Sequence, residues 1–156
     1  MNCMERLQAY LRENKVPFEI QHHPIAYSAQ EVAASEHVPG KVMAKTVVVF
    51  AGGDTVMLAL PASHRVDVEK AAGTLGVSGV RLAHEAELAA YFPDCEVGAM
   101  PPFGNLYDVS VWVDRSLAED ETIVFRAGTH TDTMSLKYAD YARLAKPNVA
   151  EFALPL

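Results

Sequence analysis

Gly40-Lys41-Val42-Met43-Ala44-Lys45-Thr46-Val47-Val48-Val49-Phe50 runs from a turn signal into an apolar, β-branched run. Pro39-Gly40 supplies the turn, and residues 44–50 read as a buried strand. Gly52-Gly53-Asp54 then reverses the chain, and residues 55–60 return as a second strand. The pair reads as a β-hairpin. Lys45 stands at the mouth of the first strand. Its ammonium either snorkels to solvent from the strand end or is held in a pocket above the sheet. The strand pattern alone favours the first.

Working outward, Met4, Leu7 and Leu11 sit at helical spacing, with a stop near Asn14. Val16, Phe18 and Ile20 alternate with Pro17, Glu19 and Gln21, which predicts a half-buried strand over 16–21 ended by His22-His23-Pro24. Ser28-Ala29-Gln30-Glu31 is a capping box, with Glu31 reaching back to the Ser28 amide, and predicts a helix to about Glu36. Beyond the hairpin, Asp67 caps a helix with Val68, Ala71, Ala72 and Leu75 inward, closed by Gly76. A short strand over 80–82 and a helix over 85–91 follow. Residues 94–104 form a loop, since they hold two glycines and Pro101-Pro102. Strands over 109–113 and 122–125, a polar turn over 126–132, a strand over 133–136 and a helix over 138–144 come next. Lys146-Pro147 stops that helix, and residues 149–152 make an edge strand. Strands and helices mix without strict βαβ alternation. The expected fold is α+β: a single mixed β-sheet, partly barrel-like, with helices around it, forming one domain over 1–156.

The chain has 156 residues and a formal net charge of −7. That charge excludes generic duplex DNA binding, which needs a broad basic surface. Nucleic acid would have to be met at an end or a single strand, through a few local cations. No run approaches about 18 apolar residues, so no membrane helix is expected. No secretory signal is visible in Met1-Asn2-Cys3-Met4-Glu5-Arg6. Two cysteines, Cys3 and Cys95, are too few for a disulfide framework, and a reduced cytoplasmic setting is the simplest expectation.

Three features carry chemistry. Lys45-Thr46 is the first. The second is Glu96-Val97-Gly98-Ala99-Met100-Pro101-Pro102-Phe103-Gly104. Its glycines allow close backbone approach and its prolines stiffen it, so its amides can polarise a carbonyl. It reads equally well as a stiff surface loop, with Met100 and Phe103 as anchors. Asp94 and Glu96 read as a solvated face. The third is Ala127-Gly128-Thr129-His130-Thr131. His130 there either touches a substrate or is an exposed turn histidine. His22-His23 with His37 or Cys95 lacks ligand spacing, so no metal site is expected. There is no G-x-S-x-G, no Walker motif and no G-x-G-x-x-G. The inventory offers a lysine, a histidine and a Gly/Pro loop, but no conventional nucleophile.

These residues resemble the YbaK/prolyl-tRNA-synthetase-associated domain family, the trans-editing aminoacyl-tRNA deacylases. The likeness spans nearly the whole chain. It rests on the helix over 28–36, Ala44-Lys45-Thr46-Val47, Val97-Gly98-Ala99-Met100-Pro101-Pro102-Phe103-Gly104 and the glycine turn carrying His130. The resemblance implies hydrolysis of the ester between an amino acid and the tRNA 3′-terminal adenosine, without metal, cofactor or covalent nucleophile. It implies catalytic roles for Lys45, Gly98 and His130, and substrate contacts from Thr46, Ala99, Met100, Pro101, Gly128 and Thr129. A lysine matching Lys45 holds the substrate end; whether it meets the terminal phosphate or the developing oxyanion stays open. The implied partners are an aminoacyl-tRNA 3′ end, that of tRNA(Pro), and prolyl-tRNA synthetase as a candidate. Thr46 is similar to a cysteine-directed branch, and Gly128-Thr129-His130 to an alanine-directed one. A small amino acid, alanine or cysteine, is therefore expected. The competing reading is a non-catalytic module that uses the same pocket to bind a nucleotide end or a protein.

Overall fold

In the computed structural model, which describes residues 1–156, the chain opens on α1 (Cys3–Glu13). Asn2 caps it: its side chain accepts from the Glu5 amide at 2.9 Å, while Glu5 accepts from the Asn2 amide at 3.1 Å. Leu7 and Leu11 are fully buried on its inner face. Strand β1 (Glu19–His22) starts later than the alternation predicts. Pro17 cannot donate to a ladder, and Val16 is buried in the core instead. Helix α2 (Ala29–Ser35) is capped by Ser28, which accepts from the Glu31 amide at 3.1 Å. The Glu31 carboxylate takes the Ser28 hydroxyl, at 3.0 Å, rather than the Ser28 amide.

The expected hairpin is β2 (Met43–Ala51) and β3 (Asp54–Pro61), in register from Ala44↔Pro61 to Ala51↔Asp54. Next come β4 (His64–Val66), α3 (Val68–Leu75), β5 (Val80–Leu82) and α4 (Glu85–Tyr91). Val68 is 43 % exposed rather than inward, because it sits in the first turn of α3. Then follow β6 (Ser110–Asp114), α5 (Arg115–Ala118), β7 (Thr122–Arg126), β8 (Asp132–Lys137), α6 (Tyr138–Ala145), β9 (Asn148–Ala150) and β10 (Ala153–Pro155). The sequence pattern did not predict β4, α5 or β10, each of only three or four residues. The polar turn is also shorter than expected. Arg126 ends β7 and Asp132 begins β8, and both are buried.

The fold is α+β around one mixed sheet of eight strands in the order β1-β8-β7-β2-β3-β6-β9, with β5 against the far half of β2. The pairs β2·β7, β3·β6 and β6·β9 are parallel; the others are antiparallel. Strand β2 thus has three neighbours and is the central support. One sheet face carries the main core, with Leu7, Leu11, Phe103, Phe125 and Tyr141. On the opposite face α2 packs over Met43 through Ala29, Val32 and Ala33.

The two cysteines, too few for a disulfide framework and expected in a reduced setting, are paired in the structure. Cys3 and Cys95 form a disulfide, with Cα atoms 4.9 Å apart across 92 residues of sequence. The amide of Cys3 donates to Asp94 O at 2.9 Å, so the start of α1 lies against the loop that begins the second motif. Sequence distance hides this contact.

Asp114 ties the C-terminal segment to the sheet. Its carboxylate accepts from the amides of Phe152 (2.9 Å), Ala153 (3.0 Å) and Ser116 (3.1 Å), and from the Ser116 hydroxyl. Burial alone would raise its pKa, but those donors hold it below the usual carboxylate range. Asp114→Ala is expected to cost about 3 kcal/mol in urea unfolding, because it strands buried donors that bond a charged acceptor. A depressed folded pKa stabilises above the unfolded pKa and is lost as pH falls through the folded one. The gap between wild type and variant should therefore narrow in acid.

Candidate active site

Lys45 lies near the start of β2, where the strand runs parallel to β7. The pairs Met43↔Val124 and Ala44↔Phe125 put Lys45 next to Arg126, on the sheet face that α2 covers. Arg126 is 9 % exposed, and its Nη1 donates to the Tyr27 carbonyl at 2.7 Å. Neither cation forms an ion pair with a carboxylate. Burial, followed by the charge of Arg126, lowers the pKa of Lys45. Burial likewise lowers that of Arg126.

The second and third motifs interlock through backbone. The Glu96 amide donates to Gly128 O at 2.8 Å, and the Gly128 amide donates to Ala99 O at 2.9 Å. The Glu96 carboxylate accepts from the His130 amide at 2.7 Å, so a residue that is exposed, as the sequence suggested, also ties the turn. Asp132 closes the turn by accepting from Thr129 (2.6 Å), Thr131 (3.1 Å) and His22. Burial would raise the pKa of Asp132, but the bonds from Thr129, His22 and Thr131 lower it.

The His130 ring has a fixed proton arrangement. Its Nε2 lies 2.8 Å from Val97 O, and a carbonyl can only accept, so Nε2 carries a proton. In the neutral ring Nδ1 is then a free acceptor, and it is buried without a partner. The Tyr27 ring covers His130 at 4.9 Å between centroids. Gly98 adopts φ +85°, and a Cβ there would come within 3.9 Å of His130 Cε1. The amides of Val97 and Gly98 donate to no acceptor in the chain. Two free N–H groups thus lie beside an imidazole whose acceptor nitrogen is closed to solvent, and the amides suit a polarised carbonyl.

All three motifs therefore meet, linked in the order Lys45, Arg126, Tyr27, His130, Gly98. The other expected contacts are placed differently. Thr46 points to the opposite sheet face from Lys45, as strand alternation requires. Ala99, Met100 and Pro101 are buried, with Met100 in the main core. Gly128 is buried against Cys3, and Thr129 is half-buried and bonded to Asp132. Sequence reasoning missed Arg126, Tyr27 and Glu96. The signal for Arg126 was its place at the end of an apolar run, directly before the glycine turn. The largest cavity, about 520 Å³, lies elsewhere, between Asp54, Val77, Tyr91, Asp108 and Trp112.

The model of the aminoacyl-tRNA editing domain matches residues 23–144, which include every motif above. A relative from Escherichia coli strain K12, named multifunctional Ser/Thr-tRNA deacylase ProXp-y, is 28 % identical over 153 residues, covering 95 % of this chain and 91 % of that protein. A proline–tRNA ligase from Thiobacillus denitrificans is 33 % identical over 96 residues, 61 % of this chain and 16 % of that protein. A solved structure described as a candidate trans-editing enzyme for prolyl-tRNA synthetase shares the fold, with a TM-score of 0.85 at 18 % identity over 97 % of each chain. No helix is long and apolar enough to cross a membrane. The chain belongs to the YbaK-type aminoacyl-tRNA editing domain family, whose members hydrolyse aminoacyl-tRNA esters.

Proposed function

We propose that residues 1–156 act as one editing domain that removes a small amino acid, alanine or cysteine first, from tRNA(Pro) in the cytoplasm. The observation that carries this reading is the polarity of the site. Two cations stand at one end, and free amides with an imidazole acceptor stand at the other. An aminoacyl-tRNA 3′ end has the matching polarity, with phosphodiesters on one side of the terminal ribose and the ester on the other.

In this reading Lys45 holds the nucleotide end. The free amides of Val97 and Gly98 meet the ester carbonyl, while His130 Nδ1, closed to solvent beneath its neighbours, accepts from the attacking water or the neighbouring ribose hydroxyl once substrate binding has opened it. Water oxygen bonds to the carbonyl carbon. The ribose oxygen leaves and takes a proton, giving free amino acid and a tRNA with its terminal hydroxyls restored. An activated ester needs only orientation and dipole stabilisation of this kind. Specificity by size fits such a site, since one methylene is worth about 1–3 kcal/mol. Prolyl-tRNA synthetase is the proposed source of the substrate, supported by the segment shared with a proline–tRNA ligase.

The test is release of labelled amino acid from Ala-, Cys-, Ser- and Thr-tRNA(Pro), and from Ser-tRNA(Ser) and Thr-tRNA(Thr). The serine and threonine substrates are included because the Escherichia coli relative is named for them. Turnover is expected to be fastest with alanine or cysteine on tRNA(Pro). Faster release of serine or threonine would reassign the amino acid. Absence of turnover across the whole panel would remove the deacylase reading.

A further inference from the structure

We propose that Arg126 is a substrate-binding residue, forming with Lys45 a two-cation site for a phosphodiester of the single-stranded tRNA 3′ end. This deepens the deacylase reading and rests on it for the identity of the ligand. Lys45 and Arg126 each follow the last pair of the β2·β7 ladder, Ala44↔Phe125, and so lie side by side on the face of Met43 and Val124. A guanidinium has five N–H donors. Only one hydrogen bond of Arg126 is made within the chain, to Tyr27 O. None of its nitrogens is among the buried atoms that lack a partner, so the remaining donors reach the surface. A buried guanidinium and a half-buried ammonium side by side, with no carboxylate against either, lack an anion in a chain whose net charge is −7. The pKa of Lys45 is lowered by burial first and by the charge of Arg126 second.

Substrate chemistry selects the anion. The aminoacyl group carries an α-ammonium and a neutral ester, so two cations would repel it. The only anions of the 3′ end are its phosphodiesters. The planar fork of arginine matches two phosphate oxygens, while lysine adds a point charge. Arg126 also holds Tyr27, whose ring lies on His130, so the phosphate site and the reacting end share one connecting segment.

The trinucleotide C-C-A is the probe, titrated at several salt concentrations against wild type, Arg126→Gln and Lys45→Gln. Arg126→Gln is expected to weaken binding about tenfold. The slope of log affinity against log salt should fall by about 0.7, the value for one single-strand phosphate contact. In deacylation, Arg126→Gln should raise KM while kcat stays within a few-fold. Unchanged affinity and slope would overturn the proposal. So would a loss of kcat at constant KM, which belongs to an oxyanion contact, or a wild type that does not bind C-C-A. Should Arg126→Gln not fold, Lys45→Gln carries the test, because the half-buried Lys45 tolerates substitution, and an unchanged slope there also overturns the two-cation site. A wild type that binds C-C-A as expected yet deacylates nothing would sink the deacylase reading and leave the anion site standing.

Discussion

Lys45→Ala is expected to lower kcat/KM for the mischarged tRNA by about 100-fold while leaving the fold intact. A charge-assisted hydrogen bond is worth about 1.5–3 kcal/mol, and each 1.4 kcal/mol is a factor of ten. The Lys45 ammonium makes no ion pair inside the chain, and it repels Arg126 beside it. Its removal therefore strands no partner and relieves one repulsion. The thermal midpoint of the variant should equal or exceed that of the wild type. Single-turnover deacylation and thermal unfolding of the same preparations check both halves. Equal rates on a substrate that the wild type turns over would take Lys45 out of the reaction. A large drop in midpoint would make it a structural residue.

Gly128→Ala should cost about 3 kcal/mol of stability, together with loss of activity. Two costs add there. Gly128 has φ +97°, where an L side chain is strained by about 1–3 kcal/mol. Its Cβ would also lie 2.7 Å from both Cβ and Sγ of Cys3, and the disulfide fixes those atoms. The turn would have to move, and its two backbone bonds to the 96–99 segment would move with it. Gly53→Ala is the control, since Gly53 has φ +90° but nothing within 4 Å of its Cβ. The difference between the two urea midpoints measures the clash alone. If the two variants were equally stable, the contact between Cys3 and the turn would be a loose one.

Much of the fold was legible because its central elements obey local rules. The hairpin has its glycine turn and its β-branched strand, and Asp67 and Ser28 cap helices as their side chains allow. The site was legible as three motifs but not as a connected whole. Tyr27 and Arg126 link those motifs through contacts across 99 residues, a bond to a carbonyl that no pattern announces. Glu96 is solvated as it looked, but its acceptor role depends on a turn 34 residues away. The bond between Cys3 and Cys95 was hidden by their separation of 92 residues. Met100 and Pro101 stood out as motif residues, yet the chain buries them, so much of that motif's character lies in packing.

The placement of α1 and β1 bears on the order in which the molecule can be completed. Strand β1 pairs with β8, and Leu7 and Leu11 share one core cluster with Phe125 and Tyr141 far along the sequence. Residues 19–22 therefore gain their ladder partners only after β8 has been synthesised. The site inherits this delay, because its last pieces are the turn over 127–131 and the segment that β1 delivers to it. Synthesis that halts early therefore leaves no partially active editor. Hydrolysis of the ester begins only when β1 has joined β8.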